Sequence, residues 1–154
     1  MRELKFRGKC VNTGRWVYGH YFITPLSDEN TGARVEDGLF FLTGRRRHCI
    51  ANQNGCVYEV DPLTVGQSTG LHDKNGKEIY EGDIISIPDD WDEFGWMAGE
   101  TREVYFCDAS FRLKPKKSHA SGRGHLIEDC MEVCEVIGNV HEHAHLLPDS
   151  TKGV

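Results

Sequence analysis

No apolar run in this chain approaches the roughly 20 residues that a membrane-spanning helix requires, so no helical span and no membrane partner are expected. The opening residues include Arg2, Glu3, Lys5 and Arg7 where a secretory leader would need an apolar stretch, so no leader is read there. Cations are in the minority: 18 Lys and Arg stand against 24 Asp and Glu, a formal net charge of −6. That balance argues against bulk attraction to nucleic acid or to an anionic membrane, although a local basic patch could still act. The six cysteines contain no Cys-x-x-Cys pair. Cys49 and Cys56 are seven apart and Cys130 and Cys134 four apart, which is not the tight pairing of a zinc knuckle. A cytoplasmic chain with reduced thiols is the expectation.

Signatures of catalysis are missing too. There is no Gly-x-Ser-x-Gly elbow, no glycine-rich phosphate loop running into Lys-Ser or Lys-Thr, and no His-Glu-x-x-His. Cys130 and Cys134 would share one face of a helix. A nucleophilic thiol needs a lowered pKa and a nearby base. Glu128, Asp129, Glu132 and Glu135 push the other way. The two cysteines read as small buried residues. The chain is expected to be no enzyme and to hold no cofactor.

What is present is strand patterning with turn punctuation. A chain of 154 residues can bury about two-thirds of its unfolded surface. Its organisation reads as an N-terminal β extension over 1–60, a β-barrel region over 61–147 and a flexible tail over 148–154, together one structural unit. Phe6, Trp16-Val17-Tyr18 and Tyr21-Phe22-Ile23 read as strands, with Asn12-Thr13-Gly14 as the turn between the first two. Leu39-Phe40-Phe41-Leu42 is a short apolar run that suits a buried strand, and the polar stretch from Ser27 to Gly38 is a loop. Glu103-Val104-Tyr105-Phe106 and Phe111-Arg112-Leu113 are later strands. Leu126 to Glu135 fits neither period; a strand ending at Ile137 is expected, with a helical turn around Asp129 to Glu132.

The densest signal is the stretch from Thr64 to Ile87. Asn75-Gly76 is a two-residue hairpin signal of the type I′ kind, which needs positive φ at both positions. Glu81-Gly82-Asp83 is a second tight reversal. Ile84-Ile85-Ser86-Ile87 is a β-branched strand that Pro88 stops. Asp73 and Asp83 invite a metal or catalytic reading. The plainer one is that they accept backbone hydrogen bonds inside these turns, and the spacing to Gly76 does not fit a calcium loop.

Several blocks together resemble the YopX-like family of phage and prophage proteins. They are Lys5-Phe6-Arg7-Gly8-Lys9, Trp16-Val17-Tyr18-Gly19, the long block from Thr64 to Ile85, and Val136-Ile137-Gly138-Asn139-Val140-His141-Glu142 ahead of Leu146-Leu147. In that family the closing segment runs through an Asn and a Pro before its final leucine, a place taken here by His143-Ala144-His145. The resemblance implies a mainly β protein with a small SH3-like barrel and little helix. It also implies a homo-oligomer of phage or prophage origin in a bacterial host cell. No catalytic activity comes with it, so no catalytic residue is carried over. The function expected is that of a non-enzymatic, oligomeric protein-interaction module contacting a phage or host protein.

Two residue sets are candidate sites. His141, His143 and His145 alternate, so on a strand their imidazoles would share one face and could bind zinc or nickel. Alternate residues on one strand also splay apart by about 7 Å, which suits tetrahedral closure poorly. The second set is cationic and aromatic: Arg45, Arg46 and Arg47, then Lys114, Lys116 and Lys117, with Trp91 and Trp96. Such a set could follow a phosphate backbone while bases stack, making the chain a nucleic-acid-binding small β-barrel. The alternative is that these charges solvate loops and pair with the surplus carboxylates.

Overall fold

The computed structural model describes residues 4–25, 35–36, 39–40, 46–91, 97–115 and 124–148. The structure is mainly β, with helix among the described residues confined to single 3₁₀ turns. The chain divides into two compact units, Met1–Val65 and Gly66–Val154.

In the first unit, β1 (Phe6–Lys9) and β2 (Trp16–Pro25) form the hairpin that Asn12-Thr13-Gly14 calls for, with Arg7 opposite Tyr18 and Lys9 opposite Trp16. The two stretches read as separate strands around Gly19 are one ten-residue strand. A two-stranded pair, β3 (Val35–Glu36) and β4 (Leu39–Phe40), follows. Then come β5 (Arg46–Ala51), antiparallel to the second half of β2, and β6 (Val57–Glu59), antiparallel to β5. Asp61 caps the 3₁₀ turn Pro62–Thr64 by accepting from the Leu63 amide at 3.0 Å. Among the described residues, Ile50, Val60, Cys10 and Cys49 are the buried apolar ones here.

In the second unit, β7 (Gly66–His72) pairs with β8 (Glu78–Tyr80). A five-stranded antiparallel sheet then runs β12-β11-β10-β9-β13, from β9 (Asp83–Ser86), β10 (Thr101–Cys107), β11 (Ser110–Leu113), β12 (His125–Leu126) and β13 (Glu135–Asn139). Its core gathers Ile79, Ile85, Ile87, Val104, Leu113, Ile127 and Met97. Each such side chain contributes about 1.5–3 kcal/mol of burial free energy. The expected SH3-like barrel is corrected. Among the described residues no ladder joins β12 to β13, so the sheet is open. β12 lasts two residues before the 3₁₀ turn Ile127–Asp129 redirects the chain, and β13 is bulged between Val136 and Gly138.

The hairpin chemistry also differs in one place. Gly76 has φ +79°, but Asn75 is not left-handed, so the Asp73–Lys77 loop is not type I′. Gly76 N–H donates to Asp73 O at 2.9 Å and Asp73 N–H to Lys77 O at 2.9 Å, which suits a type I turn with a glycine bulge. The type I′ geometry belongs to Asp108-Ala109, φ +50° and +58°, between β10 and β11. An alanine held there costs about 1–2 kcal/mol in backbone sterics. Ala109→Gly is therefore expected to stabilise the chain by about 1 kcal/mol. A raised urea midpoint at unchanged slope would report it, and a lowered midpoint would refute it.

Candidate functional site

The three histidines do not form a strand face. β13 ends at Asn139, whose side-chain oxygen accepts from the amides of His141 and Glu142 at 3.0 and 3.1 Å and turns the chain. His141 then lies in a turn and His145 in the 3₁₀ turn Ala144–Leu146. The His143 ring covers Gly138, leaving no room for a Cβ there, while Nδ1 of His143 accepts from Asn139 N–H at 3.4 Å. Among the described residues no group of three or more His, Cys, Asp or Glu is arranged to hold a metal ion. The alternation that suggested a ligand set is undone by the turn.

Of the cationic and aromatic set, Arg46 and Arg47 lie in the first unit and Trp91 and Lys114 in the second. Arg45, Trp96, Lys116 and Lys117 lie outside the described residues. Trp91 is 9 % exposed and part of the core, so it offers no stacking surface. Arg46 and Arg47 are exposed at the start of β5, and Arg47 Nε lies 3.7 Å from Glu59. Lys114 Nζ lies 2.6 Å from Glu103 and 6.0 Å from the centre of the Tyr105 ring. Exposed pairs of this kind contribute about 0–1 kcal/mol.

The buried carboxylates serve the fold. Asp83 accepts from the Tyr80 amide at 2.8 Å. Asp73 accepts from Asn75 and Lys77 within its own loop, and from the Val136 amide on β13, each at 2.9 Å. Burial opposes ionisation of Asp73, but the three amides outweigh it and hold its carboxyl below the usual range. Cys130 and Cys134 are buried, and contact with the Cys134 thiol, followed by burial, pushes the Cys130 thiol well above its ordinary value. The same contact lowers the Cys134 thiol against the effect of burial, and both thiols are enclosed in the core. An open cleft of about 420 Å³ in the first unit is lined by Lys9, Cys10, Val11, Gly14, Asp61 and Pro62. The Thr13 side chain lowers the Cys10 pKa there, with burial opposing, yet among the described residues no imidazole lines the cleft to act as base.

A better-formed surface lies on β2. Trp16, Tyr18, His20 and Phe22 are alternate residues of one strand and so share a face. Contacts on the opposite face show that the alternation survives Gly19: Phe6 of β1 packs on Tyr21 at 5.6 Å between ring centres, and Tyr21 stacks on His48 at 5.9 Å. Tyr18 is 45 % and Phe22 39 % exposed, and His20 is exposed as well. Beside the rings lie Arg7 and Lys9 on β1 and Arg47 on β5, opposite Tyr18, Trp16 and Thr24 respectively. The Arg7 guanidinium sits 4.9 Å over the Trp16 ring, a cation–π contact. None of the four rings was among the sequence candidates. The period-two spacing of aromatics from 16 to 22 was the signal available.

A family model described as "YopX protein" matches residues 5–148. No curated protein matches the chain. Among solved structures, protein EF1440 from Enterococcus faecalis is 24 % identical, with a TM-score of 0.48, over 95 % of this chain and 99 % of that one.

Proposed function

The chain belongs to the YopX protein family, and from that premise we propose a non-enzymatic accessory protein of phage or prophage origin. It works in the cytoplasm of the bacterial host as a homo-oligomeric module that contacts a phage or host protein. The observation that supports this is the open five-stranded sheet, which ends in β12 and β13 with Leu126 and Ile137 exposed to 37 % and 36 %. An open edge offers backbone groups to another strand, the Val136 amide of β13 excepted because Asp73 takes it, and apolar side chains beside it add area to bury. The buried carboxylates Asp73 and Asp83 accept backbone amides that hold their turns. Light scattering at micromolar concentration is expected to give at least twice the 17.4 kDa chain mass. Ile137→Lys is expected to move the assembly towards monomer with an unchanged circular dichroism spectrum. A wild-type protein that stays at 17.4 kDa would overturn the proposal.

A further inference from the structure

We infer that the ring-bearing face of β2 binds single-stranded nucleic acid. The inference is independent of how the chain self-associates. Four rings stand in a row on one strand, about 7 Å apart at the rise of an extended chain. An extended single strand can meet such a row with one base per ring, because every base has a face that stacks.

The charge around the rings is of the sign that a phosphate backbone requires. Lys9 flanks the first ring and Arg47 lies beside the last part of the row, while Arg7 is buried against the Trp16 ring. Arg47 makes an exposed, 3.7 Å pair with Glu59, which a phosphate can displace. The two units differ in charge to match. The first has nine Lys and Arg against seven Asp and Glu, and the second has nine against seventeen. The overall charge of −6 thus conceals a cationic unit that carries the rings. Double-stranded nucleic acid is not the fit, since its bases are already stacked and the row would meet only backbone.

The test uses the full chain and a fluorescein-labelled oligothymidine of about a dozen nucleotides, read by anisotropy at low salt. Binding is expected, weakening about sevenfold between 50 and 200 mM salt if about two phosphates are neutralised. Tyr18→Ala and Phe22→Ala are each expected to weaken it about tenfold. Phe22→Tyr keeps a ring and is expected to restore it. Lys9→Gln leaves the rings in place and is expected to flatten the salt dependence, which covers the case of an alanine variant that does not fold. Three results would overturn the inference. One is no anisotropy change at low salt. Another is binding that folded Tyr18→Ala and Phe22→Ala variants leave intact. The third is a scattering mass that falls when the rings are truncated while the oligomer of wild type binds no oligothymidine, which would make the face a contact between copies of the chain.

Discussion

Asp73→Ala is expected to lower folding stability by about 4 kcal/mol, a large share of the total for a domain of this size. The carboxylate accepts three amide hydrogens at 2.9 Å, and the one from Val136 is buried. Alanine leaves that amide without an acceptor, a loss of about 1–3 kcal/mol. The two loop amides lose charge-assisted bonds that water replaces only in part. The contact also spans 63 residues of chain, because Asp73 sits in the β7–β8 loop and Val136 on β13. Two neighbours reinforce the junction: Lys74 N–H donates to Cys134 O at 3.1 Å, and Lys74 Nζ lies 2.9 Å from Glu135. Asp73→Asn is expected to cost less, about 2–3 kcal/mol, since an amide oxygen can serve only one side of the set. The pH dependence identifies the cause. The folded carboxyl is held below its unfolded value, so its contribution is fully present above an unfolded pKa of about 3.9 and is lost as pH falls through the folded value. Urea unfolding of wild type and Asp73→Asn is expected to show a constant difference above about pH 5 that shrinks in acid. A difference that persists unchanged at the lowest pH would point to packing alone.

That contact shows what the sequence could and could not convey. Asp73 as an acceptor of loop amides was legible, because aspartate two residues before an Asn-Gly pair has that chemistry. Its third bond was not, since nothing local links residue 73 to residue 136. The turn type was misread for a similar reason. Asn-Gly serves a type I′ turn and a type I turn with a bulge equally well, and the Asp73–Lys77 backbone pair decides between them. Trp91 was a candidate stacking ring, yet it packs into the core with Ile87 and Met97. The strand expected to carry the histidines stops short of them: Gly138-Asn139 is a turn signal ahead of the set, and the Asn139 side chain makes the turn. The ring row was legible in principle. It was missed because 16–18 and 21–23 were read as separate strands, which left His20 in neither.

Gly19 is where that row is most easily broken. Gly19→Ala is expected to destabilise the chain by about 3–4 kcal/mol. Its φ is +153°, a conformation that alanine rarely adopts, and an added Cβ would lie 1.9 Å from the carbonyl oxygen of Ala51 and 2.7 Å from its carbon. Both are backbone atoms of β5, so no change of rotamer relieves the overlap. The strands must separate beside the His20–Ala51 pair, where β2 passes from pairing with β1 to pairing with β5. A conformational cost and a steric cost therefore add. Gly14→Ala separates them, because Gly14 has φ +66° in the β1–β2 turn and an added Cβ would meet nothing within 4 Å. That control is expected to cost only about 1 kcal/mol. Urea midpoints measure both, and equal losses would show that the sheet yields to the Cβ at Gly19. Where Gly19→Ala still folds, the shift should tilt Trp16 and Tyr18 away from His20 and Phe22. A folded variant is then expected to bind oligothymidine about tenfold more weakly with all four rings present, because stacking needs them in one row.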